Sequence, residues 1–124
     1  MIDMYREHIL EHYEDPQNFG ELEHPTHKHK ESNASCGDEI TVYLITEDEI
    51  IKDVRFIGHG CAISMAATSL ITERVKGKSV EAVMKMGLDD VLEALEIEVS
   101  PARMKCVTLG IKAIQKSLQV NDNE

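Results

Sequence analysis

The chain lacks most of the features that would assign it quickly to a class. Nowhere in its 124 residues is there an apolar run of eighteen, which excludes a membrane-spanning helix. The first residues, Met1-Ile-Asp-Met-Tyr-Arg-Glu-His8, contain no apolar signal region, so secretion is not expected. A basic stripe is absent as well. Thirteen lysines and arginines stand against 23 acids, a net charge of −10, and they are scattered among those acids. Nucleic-acid binding needs concentrated positive charge to neutralise phosphates, so that class is set aside. No internal repeat or linker divides the sequence, and 42% hydrophobic and 29% charged residues are ordinary for one globular domain over 1–124. The segments 1–3, 17–33 and 121–124 are expected to be flexible.

Cysteine is scarce and unevenly placed. There are three, an odd number that argues for reduced thiols and a cytoplasmic setting. They lie in Ser35-Cys-Gly-Asp38, Gly58-His-Gly-Cys-Ala62 and Arg103-Met-Lys-Cys-Val107. No local Cys-x-x-Cys pair exists, so only the fold can bring the thiols together. Cys61 follows Gly-His-Gly and precedes an apolar helix, where the helix dipole and free N–H groups favour thiolate. Cys106 is flanked by Lys105 and, three residues back, Arg103, whose charges act in the same direction. Gly37 leaves room beside Cys36, and Asp38 can point to the same side. Three thiolates with the Asp38 carboxylate form a four-ligand set suited to zinc or to an iron–sulfur cluster. The competing reading is that cysteines are simply small buried hydrophobes. Placement at element boundaries beside glycines and charges weighs against it, and Lys105 suggests that Cys106 sits at the rim of the core. His24, His27 and His29 read as solvated loop residues, His59 as an outward turn residue, and His8 and His12 as a polar helix face.

The pattern of elements is α+β. A helix is expected over 4–14, with Tyr5, Ile9 and Tyr13 sharing a face, ended by Asp15-Pro16. Loop follows to Asn33, with room for one short edge strand. Thr41–Ile45 and Ile50–Ile57 are β-rich and form an antiparallel hairpin, with Val54 and Phe56 on one face. Helices are then expected over 63–76, from Ser79 to Met86, and over 88–95. The last helix begins with Ser100 as N-cap and Pro101 at its first position, and carries the apolar stripe Met104, Val107, Ile111, Ile114 and Leu118.

These residues resemble a known family, the U-type iron–sulfur cluster assembly scaffolds (IscU, SufU and the N-terminal domain of NifU). The likeness runs from Met4-Tyr-Arg-Glu-His through Asp15-Pro-Gln-Asn-Phe-Gly20 to the three cysteine motifs, in family order. The resemblance implies a three-stranded antiparallel sheet packed against about five helices. It implies that Cys36, Asp38, Cys61 and Cys106 hold a transient [2Fe–2S] cluster, with Asp38 as the ligand that keeps it labile. It also implies a cysteine desulfurase that delivers sulfur, with Cys106 as persulfide acceptor, and apo iron–sulfur client proteins that receive the cluster. On this reading the protein is a scaffold and not an enzyme; the alternative is a zinc-dependent sulfurtransferase, a sulfur acceptor of the SufU kind that stimulates the desulfurase. A stable zinc or redox module is a third reading. Lys105 stands where many members have histidine, and as an accessory site residue it cannot coordinate metal while protonated. Lysine there occurs in the SufU-like branch, but the 45-residue interval from Cys61 to Cys106 looks too short for that branch's insertion, which favours the scaffold. Glu98-Val-Ser-Pro-Ala-Arg-Met104 departs from the Leu-Pro-Pro-Val-Lys motif read by a dedicated chaperone in other members.

Overall fold

The computed structural model of the protein describes residues 4–33, 37–96 and 98–119; the expected flexible ends 1–3 and 121–124, and Cys36, lie outside them. Helix α1 spans Met4–Glu14 and stops where Asp15 precedes Pro16. Three strands follow, β1 (His27–Asn33), β2 (Asp38–Glu47) and β3 (Ile50–His59), forming an antiparallel meander in that order. Six α-helices lie among the described residues: α1, α2 (Ala62–Val75), α3 (Val80–Met84), α4 (Leu88–Leu95), α5 (Met104–Val107) and α6 (Leu109–Gln119). The structure thus has the expected α+β architecture, with one helix more than the five foreseen.

The β2–β3 hairpin turns through Asp48 and Glu49, both with positive φ (54° and 64°), the two-residue geometry that matches strand twist. Alternation along the strands then drives Ile40, Val42 and Leu44 of β2, and Val54 and Phe56 of β3, into full burial. The outer edge of β3 does not stay open. Phe56 N–H donates to Asn18 O at 3.0 Å and Gly20 N–H to Phe56 O at 2.8 Å, while the Phe19 ring meets Phe56 edge-on. Such pairing removes a free strand edge.

Helix α2 is the centre of the helical layer. Every residue from Ser64 to Thr72 is buried, not only the face of Ala67, Leu70 and Ile71. Its small side chains permit this, and nothing illustrates it better than Gly110 of α6. A β-carbon there would lie 2.5 Å from Thr68 Oγ1, so the two helices cross in near contact. Ser79 caps α3 by accepting the Ala82 N–H at 3.1 Å, and Asp90 accepts the Gly87 N–H before α4.

Four local expectations are corrected. Residues 27–33, where the expected loop left room for one short edge strand, form a strand of seven residues whose inward residues, His27, His29, Glu31 and Asn33, face α6. His27 Nδ1 lies 3.0 Å from Ser117 O and Glu31 pairs with Lys116, so His27 and His29 are half-buried packing residues and not solvated ones. The last helix is not continuous from Pro101. A 3-10 turn (Pro101–Arg103) leads into α5, and the helix breaks at Thr108, whose hydroxyl donates back to Met104 O at 3.1 Å. Ser100 precedes that turn but makes no side-chain capping bond. On α1, His12 and not Tyr13 faces inward; Tyr13 is 44% exposed. The Tyr5 side chain lies outside the described ones. Finally, Cys106 is not at a rim but buried, 3% exposed.

The inward His12 is anchored to α2. Its Nδ1 and the Gln17 N–H both lie 2.7 Å from Ser69 Oγ, and Nε2 faces Glu73 at 3.8 Å. Burial holds the imidazole below its ordinary value of 6.5, reinforced by His8, and Glu73 and Glu11 only partly offset this. The unfolded chain therefore takes up the proton first. The contribution of His12 to stability is present above pH 6.5 and is lost as pH falls below it toward the folded value. Thermal unfolding followed from pH 7.5 down to about 5 should show a loss of Tm that is smaller in His12→Gln. An identical slope in the variant would remove His12 as a source of acid sensitivity.

Candidate metal centre

The site forms where three elements begin or end together. Asp38 opens β2, Cys61 is the residue from which α2 starts, and Cys106 lies in α5. One ligand atom from each of Asp38, Cys61 and Cys106 lies within 4.8 Å of the others. Of the four residues expected to converge, these three do so, across 68 residues of chain. Cys36 lies outside the described residues, two positions before Asp38.

The carboxylate of Asp38 organises this cluster. It is 2% exposed, and an ionised carboxylate so placed needs compensation. Oδ1 accepts the backbone N–H of Cys61 at 3.0 Å, which also sets the carboxyl group at the positive end of α2. Oδ2 is left facing the Cys61 sulfur, 3.9 Å away. Gly60 makes this approach feasible. A β-carbon at residue 60 would stand 2.6 Å from Asp38 Oδ1 and 2.9 Å from its Cγ, so only glycine lets the carboxylate reach the helix. The role of Gly60 is to make space for Asp38.

The donor set fits a thiophilic divalent metal. Ligands about 2.0–2.3 Å from a tetrahedral zinc ion stand roughly 3.5–4 Å apart, a spacing the Cys61 sulfur and Asp38 Oδ2 already have at 3.9 Å, and a buried carboxylate gains a compensating charge. Cysteine sulfur and one carboxylate oxygen are also donors that iron in a cluster accepts. His59, adjacent to the site in sequence, points outward with its side chain 72% exposed and faces Glu39. Lys105 is exposed and takes no part in the ligand set. With Lys112 and Lys116 of α6 and the Glu31–Asn33 end of β1 it lines an open groove of about 310 Å³. In a chain of net charge −10, that groove gives the residue beside Cys106 a locally basic surround.

Gly60→Ala should therefore act on the metal site through Asp38. We expect zinc affinity, measured by competition with a chromophoric chelator, to fall about 10–100-fold, as for the loss of a ligand-orienting group. Unchanged affinity would mean that Asp38 is not held by this approach.

Comparisons with known proteins agree with this arrangement. Residues 4–122 match the family described as NifU-like N terminal domain. The Zinc-dependent sulfurtransferase SufU of Bacillus subtilis is 34% identical, over 93% of this chain and 89% of that protein. The Iron-sulfur cluster assembly scaffold protein IscU of Thermotoga maritima is 36% identical, over 94% and 93%. The crystal structure of a putative iron-sulfur cluster assembly scaffold protein for the SUF system from Fervidobacterium islandicum superposes with a TM-score of 0.75 at 29% identity, over 90% of this chain and 94% of that one. With the family matched over nearly its whole length, and the carboxylate and two of the three cysteines meeting in space, the chain belongs to the NifU-like N-terminal domain family.

Proposed function

We propose that this protein is a scaffold on which a [2Fe–2S] cluster is built from iron and from sulfur delivered by a cysteine desulfurase, and from which the cluster passes to apo-proteins. The observation that carries this reading is the convergence of a buried carboxylate with two cysteines at the start of α2. In this reading Cys36 supplies the third thiolate. A site meant to hold a cluster permanently is better served by four thiolates; a carboxylate oxygen is a harder, weaker ligand for cluster iron. Three thiolates and one aspartate suit a cargo that must leave. The scaffold role is that of a carrier, not an enzyme, and the names of relatives such as those from Thermotoga and Escherichia coli support it.

Sulfur is taken up at Cys106. Its burial requires the chain around it to open, and α5 is a helix of four residues, held on one side by the Thr108 break. So short an element opens locally at small cost. The lysine-lined groove gives the approach. The second reading, a zinc-bound sulfur acceptor that stimulates a desulfurase without building a cluster, draws support from the 34% identical zinc-dependent relative and from a donor set that zinc accepts.

Two variants test the proposed roles. Asp38→Ala loses the bond to Cys61 N–H, worth about 1 kcal/mol as an intramolecular hydrogen bond, yet should retain a reconstituted cluster longer than the wild type in transfer assays. Loss at an equal or faster rate would remove Asp38 as the labile ligand. Cys106→Ser should abolish persulfide uptake from the desulfurase, read by mass spectrometry of the intact chain. Uptake at the normal rate would assign the acceptor role elsewhere, with the half-buried Cys61 next in line.

A further inference from the structure

One hydroxyl in the first turn of α2 has no task in the fold. Ser64 is fully buried, and its Oγ has no hydrogen-bond partner. Leaving such a group unpaired costs about 1–3 kcal/mol, and alanine would avoid that cost. A serine inside a helix usually donates to a carbonyl one turn back. The Ser64 hydroxyl makes no such bond. Only the backbone of Ser64 is engaged, its carbonyl accepting the Thr68 hydroxyl at 2.9 Å.

Its position follows from two contacts between the same helices. Thr68 lies against Gly110, where a β-carbon would be 2.5 Å from Oγ1. One end further on, Cys61 and Cys106 meet in the ligand cluster. Helix α2 therefore meets both α5 and α6 along the face that carries Cys61 and Thr68. Ser64 is one turn before Thr68 on that face, and Cys106 precedes Gly110 across the break at Thr108. Ser64 thus falls between the ligand cluster and the helix crossing, on the side of α2 turned toward α5.

We propose that Ser64 is a further residue of the sulfur site: its hydroxyl donates a hydrogen bond to the outer sulfur carried on Cys106. The inference rests on Cys106 as persulfide acceptor. In the uptake step the Cys106 thiolate attacks the outer sulfur of the donor's cysteine persulfide. The donor's S–S bond breaks, its sulfur leaves with the electron pair and takes the proton of the outer sulfur, and Cys106 becomes a persulfide anion. No net oxidation occurs. The new negative charge lies in a buried environment, where a waiting O–H donor is worth most. The hydroxyl unpaired in the resting fold becomes paired when sulfur arrives.

The test compares the wild type with Ser64→Ala and Thr68→Val. Inorganic polysulfide loads the cysteines without a desulfurase, and the persulfide-to-thiol ratio at Cys106 is read by mass spectrometry after trapping. Ser64→Ala should lower this ratio about tenfold, the size expected for one bond to a charged group, while Tm stays equal or rises because an unpaired buried oxygen has gone. Thr68→Val removes a bond the fold does use, so it should lower Tm and leave the ratio unchanged. An unchanged ratio in Ser64→Ala, or an equal fall in Thr68→Val, would overturn the assignment. Because polysulfide bypasses the donor protein, failure of a desulfurase to transfer sulfur would count against the proposed function and leave this result standing.

Discussion

One hydrogen bond, from the Cys61 backbone N–H to the buried Asp38 carboxylate, joins the two halves of this architecture. It ties the first residue of β2 to the start of α2, so the sheet and the helical layer share one origin. The carboxylate is out of water, and the interior strengthens its attraction to the helix terminus. Gly60 is the steric condition for that bond, since any side chain at this position would strike Asp38. The same few atoms also turn one carboxylate oxygen and the Cys61 sulfur toward a common point, where Cys106 joins them. Fold and site are thus one construction at this corner, which is why a change to Asp38 must be read in both stability and chemistry.

Helix α2 extends the consequences of that corner through the molecule. Its hydroxyls act as a row of attachment points. Ser69 receives His12 of α1 and the Gln17 N–H, Thr72 receives the Asn18 side chain, and Thr68 lies under Gly110 of α6. The segment held by Ser69 and Thr72 then runs on to close the outer edge of β3 through Asn18 and Gly20. A helix of purely apolar residues could fill the same space, but it could not fix α1 and the loop after it in register. Ser64 stands apart in this row, because its hydroxyl alone has no partner.

Much of this was legible in the sequence because the signals were local. The end of Met4–Glu14 follows from Asp15-Pro16, and the hairpin follows from two β-rich runs around a short acidic turn. Asp38, Cys61 and Cys106 could be grouped from their local settings and the family likeness, before any contact was known. What escaped was set by partners distant in sequence. Strand β1 reads His-Lys-His-Lys-Glu-Ser-Asn and has no apolar alternation, because its inner face meets polar groups of α6. The break at Thr108 depends on a threonine hydroxyl competing for a helix carbonyl, which composition does not reveal. His12 turned inward because Ser69, 57 residues away, offered it a bond. The burial of Cys106 was masked by the charge of Lys105, which points the other way.

The most direct test is anaerobic incubation of the protein with ferrous iron, cysteine and a cysteine desulfurase, followed by desalting, visible absorption and iron and sulfide analysis. The scaffold reading predicts a [2Fe–2S] spectrum that disappears from this protein and reappears in an added apo-ferredoxin. Retained zinc without a cluster, accompanied by faster desulfurase turnover, would contradict it and assign the protein to sulfur relay instead.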